Sequence, residues 1–221
     1  MSALVTLIAG PTASGKSALA LQRARETGAA IVNADSQQLY ADLRILSARP
    51  SAEDEGQAEH RLYGVADAAD AWSVGRWARA VAPLLAELRA QERPALIVGG
   101  TGLYFTALTK GIADIPDVPA SARDAAQETY DFLGEDALRA RLSERDPRAA
   151  AAIAPGDRQR LTRAWAVLEK TGRALSDWQA ETRPLLTPGT YDRLVIEPER
   201  AALYANCDRR VGLMVEQGAL D

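Results

Sequence analysis

Residues Gly10-Pro11-Thr12-Ala13-Ser14-Gly15-Lys16-Ser17 fill every fixed position of the pattern G-x-x-x-x-G-K-[ST]. The chemistry of that pattern is phosphate binding. Glycines let the backbone wrap closely, so that successive N–H groups converge on one anion. A helix following the loop adds the positive end of its dipole. Lys16 is long enough to reach terminal phosphates, and the Ser17 hydroxyl suits a magnesium ion. The loop leaves the remainder of the ligand open.

Two further clusters carry reactive side chains. Asn33-Ala34-Asp35-Ser36-Gln37-Gln38-Leu39-Tyr40 follows the apolar run 29–32. An acidic residue leaving the carboxyl end of a strand lies where α/β enzymes hold catalytic groups. Asp35 can take a proton from a nucleophile or ligate magnesium through water. Asp followed by Ser and Gln equally suits a helix N-cap, and both readings stand. Gly99-Gly100-Thr101-Gly102-Leu103-Tyr104 follows a second apolar run, 95–98. Three glycines around one threonine either bring backbone close to a ligand, with Thr101 aimed at it, or form a tight strand-to-helix turn.

The elements that must position these clusters are visible in the pattern. Residues 4–9 (Leu-Val-Thr-Leu-Ile-Ala) read as a buried strand, and 17–26 as a helix closed by Gly28. Strand, loop and helix are the context a phosphate loop requires. Residues 73–89 read as an amphipathic helix with Val74, Trp77, Val81, Leu84 or Leu85, and Leu88 inward and a kink at Pro83. Between Pro116 and Pro188 the pattern is short helices joined by Gly, Pro and Asp turns. In the helix from Arg158 to Thr171, Leu161, Trp165 and Leu168 should face inward, while Gln159 and Arg163 share another face. Trp165 and Trp178 read as core rather than as a base-stacking platform. The expected architecture is α/β: a P-loop NTPase-like core with a parallel sheet flanked by helices, plus a small all-helical insertion domain. Its pieces are 1–115, the helical insertion 116–188, and the returning core 189–221.

Composition excludes several chemistries. The chain has 221 residues and a single cysteine (Cys207) and histidine (His60), so an internal disulfide, a zinc cluster and a His-based triad are not expected. No apolar run approaches the roughly 18 residues of a membrane span, and the N-terminus lacks the basic segment of a signal peptide. Catalysis then falls to carboxylates, hydroxyls, Lys, Arg and backbone amides. The net charge is −4, yet residues 139–173 hold nine basic against four acidic side chains. Such asymmetry is either a polyanion-binding segment or a solvated helical face.

GPTASGKS, NADSQQLY and VGGTGLYF, in that order, resemble the tRNA dimethylallyltransferases, also called tRNA isopentenyltransferases. Asp157-Arg158-Gln159-Arg160-Leu161-Thr162-Arg163-Ala164 with Glu169-Lys170-Thr171-Gly172 is similar to that family's signature helix, and Asp146-Pro147 also fits. On that resemblance, residues 194–196 read as a further strand followed by a helix. The resemblance implies transfer of a dimethylallyl group from its diphosphate to the N6 amine of the adenosine 3′ to the anticodon, in tRNAs reading codons that start with U. The diphosphate would rest on Gly10, Pro11, Thr12, Ala13, Ser14, Gly15, Lys16 and Ser17, with Mg2+ on Ser17. Asp35 would accept the amine proton and Thr101 would help fix the reacting groups. Asp35, Ser36, Gln37, Gln38 and Thr101 would meet the target base, while Arg123, Gln159, Arg160 and Arg163 would contact the anticodon stem. The implied partners are a tRNA anticodon stem-loop and dimethylallyl diphosphate, with no membrane, for a cytoplasmic monomer. Glu59-His60-Arg61-Leu62 departs from the family's His-His-Leu run and Ser47-Ala48-Arg49-Pro50 from its G-T-A-K-P. Family members continue beyond the point matching Asp221. His60 and Cys207 receive no role. Two other readings fit the phosphate loop: a small-molecule kinase using ATP and Mg2+, with Asp35 as base, and an RNA-binding remnant lacking catalysis.

Overall fold

A computed structural model describes residues 4–220. Its apolar, β-branched runs form one parallel sheet. The strands are β1 (Val5–Ala9), β2 (Ala30–Asn33), β3 (His60–Arg61), β4 (Ala95–Gly99) and β5 (Tyr191–Val195), in the order β3-β2-β4-β1-β5. β1 pairs with β4 and β5, matching Val5 to both Ala95 and Tyr191, and β4 also pairs with β2. Every residue of β2 and β4 is buried, as continuous apolar runs inside a parallel sheet should be. β3 was not foreseen, because two residues show no periodicity.

The helices begin and end where local chemistry dictates. α1 (Lys16–Thr27) stops at Gly28, whose left-handed backbone (φ 70°) turns its N–H back to the Ala24 carbonyl at 2.8 Å. α2 (Ala52–Gln57) opens on a capping box between Ser51 and Asp54. α3 (Val74–Ala90) is capped by the Ser73 hydroxyl and keeps Pro83 within its span. Trp77, Val81, Leu84 and Leu88 are its buried face, which resolves the Leu84/Leu85 choice for Leu84. α4 (Gly102–Thr109) follows β4.

Residues Gly111–Arg183 form a separate compact unit, and 1–110 with 184–221 form the other. The inserted unit contains α5 (Ala120–Leu133), α6 (Glu135–Arg145), α7 (Pro147–Ala152), α8 (Arg158–Thr171) and α9 (Leu175–Ala180), with no strand among its described residues. Leu138, Leu142, Ile153, Leu161 and Leu168 make its core. Trp165 is half-buried and packs against this cluster and a second one around Val167, and Trp178 packs against the second, so neither is presented as a stacking platform. α10 (Arg200–Glu216) belongs to the sheet-bearing unit. No helix among the described residues is long and apolar enough to cross a membrane.

Asp146 locks the inserted unit. It is buried, caps α7 by accepting from the Ala149 N–H at 3.0 Å, and accepts from Ser176 Oγ at 2.6 Å and the Ser176 N–H at 3.1 Å. Burial alone would raise its pKa, but the bonds from Ser176 and Ala149 outweigh that and hold the carboxyl below its ordinary 3.8. The unfolded chain therefore takes up this proton more readily. The stabilisation is complete above the ordinary carboxylate value and disappears as pH falls through the lower folded value. Asp146→Asn should cost about 3 kcal/mol at neutral pH and make the remaining acid dependence shallower, as read by circular-dichroism melts across the acid range. An unchanged melting profile would refute this assignment.

Candidate active site

The phosphate loop joins β1 to α1. Ala13 (φ 60°) and Gly15 (φ 88°) are both left-handed, and the Ser14 N–H donates to the Pro11 carbonyl at 3.3 Å, which curls the loop into a concave nest. Gly10 admits no side chain: a Cβ there would lie 2.8 Å from the Ile196 carbonyl and 2.9 Å from Ser14 Oγ. α1 has no side-chain cap and no acidic residue in its first turn, so its leading N–H groups face an anion unopposed. Ser14 Oγ is buried without a protein partner, as suits a phosphate oxygen. Lys16 Nζ donates to the Pro11 carbonyl at 2.6 Å. Burial lowers its pKa, the Asp35 charge opposes this, and Arg210 adds to the lowering.

A cavity of about 240 Å³ connects this loop with Asp35, Gln38, Ser47 and Arg210. Asp35 starts no helix. Its Oδ1 accepts from the Gln37 N–H at 3.0 Å in a local turn, the same chemistry as an N-cap without the helix. Gly100 lies across from the other oxygen: a Cβ on it would be 3.7 Å from Oδ2. Thr101 occupies the N-cap of α4 yet does not cap it. Its Oγ1 instead accepts from the Ser36 N–H at 3.0 Å, and its own N–H donates to the Ala34 carbonyl at 3.2 Å. Thr101 thus braces the segment that carries Asp35. Burial, then Tyr40 and Asp35 nearby, push the Tyr104 phenol up to about 12.

The other candidates divide. Ser36 is half-buried beside Thr101, and Gln37 is exposed. Gln38 lines the cavity, but its Nε2 donates to the Ser47 and Ala48 carbonyls at 3.0 and 2.9 Å. Only its side-chain oxygen is left for a base, so its amide nitrogen serves the loop rather than base reading. Sequence reasoning missed Arg210. Its Nη2 donates to the Ser47 carbonyl at 3.3 Å on the cavity wall, one turn from Asn206, whose Nδ2 meets the Ala13 carbonyl at 3.4 Å. The available signal was the four-residue spacing of Asn206 and Arg210, which lays both on one helical face.

In the inserted unit, Arg123, Gln159, Arg160 and Arg163 are exposed. Desolvation, then the Arg123 charge, lower the Arg163 pKa against the pull of Asp117. Arg160 pairs with its own N-cap, Asp157, at 3.1 Å. Arg139, Arg145, Arg148, Arg158 and Arg173 face Glu135, Glu169, Asp177, Asp131 and Glu181. Much of the local positive charge is therefore matched within the unit.

A divalent cation has few protein ligands to choose from. Among the described residues no three His, Cys, Asp or Glu side chains gather as a metal cluster. Ser17, exposed at the start of α1, fits a magnesium ion that draws its other ligands from phosphate oxygens and water.

A concave loop at the end of β1, with a carboxylate and a threonine from the ends of β2 and β4, defines a P-loop α/β protein. The chain belongs to the IPP transferase family, whose model matches residues 38–221. That match starts after the phosphate loop and Asp35, but relatives align across both. A tRNA dimethylallyltransferase of Phenylobacterium zucineum is 55% identical over 221 residues, which is all of this chain and 71% of that protein. One from Caulobacter is 56% identical over 217 residues, covering 98% of this chain and 70% of the relative. Among solved structures, a eukaryotic dimethylallyltransferase acting on tRNA superposes with a TM-score of 0.82 at 25% identity, over 98% of this chain and 54% of that one. A tRNA isopentenylpyrophosphate transferase from Bacillus halodurans gives 0.60 at 30% identity, over 97% of this chain and 66% of that one.

Proposed function

We propose that this protein transfers a dimethylallyl group from dimethylallyl diphosphate to N6 of the adenosine 3′ to the anticodon, in tRNAs reading codons that start with U. The observation that carries the reading is one cavity uniting a phosphate nest, two cations (Lys16 and Arg210) and the Asp35 carboxylate. Family membership favours prenyl over phosphoryl transfer. β1, β4 and β2 are neighbours, so the strand bearing Asp35 runs about 10 Å from the strand bearing the phosphate loop. That span suits a diphosphate, an allylic carbon and an amine in line.

The chemistry follows from the groups. The bond between the allylic carbon and the diphosphate oxygen breaks, and the bond from N6 to that carbon forms. The N6 proton passes to Asp35 Oδ2. Thr12, Ser14, Gly15, Lys16 and Ser17 donate to the departing diphosphate, and Arg210 offsets its growing charge. Magnesium held by Ser17 would supply further charge neutralisation when bound. Adenine's amine is a weak nucleophile, so orientation and electrostatics account for most of the acceleration. Thr101 fixes the Asp35 segment, and Ser36, Gln37 and the Gln38 oxygen meet the base, which leaves its stack to enter. Gln159, Arg123, Arg160 and Arg163 contact the anticodon stem. The working form is a cytoplasmic monomer.

The test is transfer of labelled dimethylallyl from its diphosphate to an anticodon stem-loop RNA. Labelled RNA is expected, and label transfer from ATP to a small acceptor instead would favour a kinase. Folded protein that binds the RNA but transfers no label would favour the binding remnant. Arg163→Ala should weaken RNA binding several-fold and reduce its salt slope by about one phosphate contact. An unchanged slope in a filter-binding titration would remove Arg163 from the interface.

A further inference from the structure

Asn33 ends β2 two residues before Asp35, and it is fully buried. A buried amide is retained only where its polar atoms are satisfied. Asn33 satisfies them on the backbone of the residue that the proposed chemistry needs most. Its Oδ1 accepts from the Asp35 N–H at 2.8 Å, while its Nδ2 donates to the Asp35 carbonyl at 2.9 Å. The same nitrogen donates to the Leu62 carbonyl at 2.9 Å, beside β3. Leu62 has φ 62°, a left-handed conformation that a leucine rarely adopts. Asn33 is itself anchored: its carbonyl accepts from Trp77 Nε1 at 2.9 Å, and the buried Trp77 ring stacks on Tyr104 with centroids 4.2 Å apart. One side chain thus grips both backbone polar groups of Asp35 and ties them to the core.

We infer that Asn33 is a positioning residue, which sets the direction of the Asp35 carboxylate through the Asp35 backbone. The inference rests on the reading of Asp35 as proton acceptor. Side-chain chemistry explains the residue type. The site asks for one acceptor and two donors at amide spacing, and among residues of this size only an amide offers both. Aspartate matches the shape but, ionised, supplies acceptors alone. Alanine leaves the Asp35 N–H and two carbonyls without this partner. With Asn33 removed, Asp35 keeps its Gln37 contact but loses the reference that fixes its peptide. A misplacement of about 1 Å in such a group lowers turnover about 100-fold.

The full chain should be assayed for transfer of labelled dimethylallyl to an anticodon stem-loop, beside binding of inorganic diphosphate by calorimetry and thermal melting. Asn33→Ala is expected to lower kcat about 100-fold with KM for the prenyl donor and diphosphate affinity changed less than about threefold. A kcat within about threefold of the parent would overturn the inference. So would parallel loss of diphosphate affinity, melting temperature and turnover, which marks a purely structural residue. Should Asn33→Ala not fold, Asn33→Asp serves. Facing two carbonyls, the introduced carboxyl can donate only when protonated, so transfer relative to the parent should rise as pH is lowered. A ratio independent of pH would count against the proposal. Asp35→Ala is run alongside. Full activity in that variant removes the proton-acceptor reading itself, whereas an inactive Asp35→Ala with an active Asn33→Ala removes only the role of Asn33.

Discussion

Asp35→Ala is expected to reduce prenyl transfer about 1,000-fold while leaving diphosphate binding intact or tighter. The asymmetry follows from where the carboxylate sits. It lies on the cavity wall with the phosphate nest, and its charge acts on Lys16, but every donor in the nest belongs to another residue. Under the proposed function, deleting Asp35 removes the proton acceptor and one negative charge near the bound diphosphate. The anion then meets Lys16 and Arg210 with less opposition. Isothermal titration with inorganic diphosphate, beside single-turnover transfer, reads both effects. Transfer and binding falling together would mean that Asp35 organises the nest rather than the amine. Transfer persisting near the parental rate would mean that another group takes the proton.

The second large effect belongs to a glycine. A Cβ on Gly99 would lie 2.0 Å from the Ala34 carbonyl oxygen and 2.1 Å from its carbon. Both atoms are backbone, so no rotamer change relieves the clash. Ala34 is fully buried and adjoins Asp35, and its carbonyl receives the Thr101 N–H. Gly99→Ala must therefore push the β2 terminus away from β4 at the point where the carboxylate is aimed. Overpacking of this kind costs about 3 kcal/mol, and turnover should fall about 100-fold even in the folded fraction. Gly102 offers the internal control, since a Cβ there meets nothing within 4 Å. Gly102→Ala should fold and transfer like the parent. Equal tolerance at both positions, measured by melting temperature and transfer rate, would contradict the geometry.

These glycines also show where sequence is informative. The cluster 99–102 reads as backbone drawn close to a ligand or as a turn, and the closest approach is chain against chain. That distinction depends on β2 lying beside β4, which no local pattern contains. The phosphate loop is legible because its chemistry is local: fixed glycines, a lysine and a helix within eight positions. β1, β2, β4, α1 and α3 are legible for the same reason, as apolar runs closed by Gly28 or opened by Ser73. What escaped is tertiary. Thr101 looks like a ligand contact and braces Ser36, while Gln38 looks like a base reader and commits its nitrogen to Ser47 and Ala48. Arg210 stands almost 200 residues from the loop it faces. The basic stretch at 139–173 overstated its own charge, because several of its acidic partners lie outside it. A count along the chain cannot see that Arg158 faces Asp131 or that Arg173 faces Glu181.

The sheet order carries a consequence for how the molecule is made. Among the described strands β1 is synthesised first and its partner β5 after all the others, with Val5 matched to Tyr191. The segment after β5 also braces the nest, because the Ile196 N–H donates to the Ala9 carbonyl and the Ile196 carbonyl crowds Gly10. The helical insert, closed by contacts near in sequence, can form while that strand is still being translated. The phosphate nest cannot. A nascent chain released before residue 196 should hold a folded helical insert and an unbraced loop, so ligand binding is acquired only after the insert has been made.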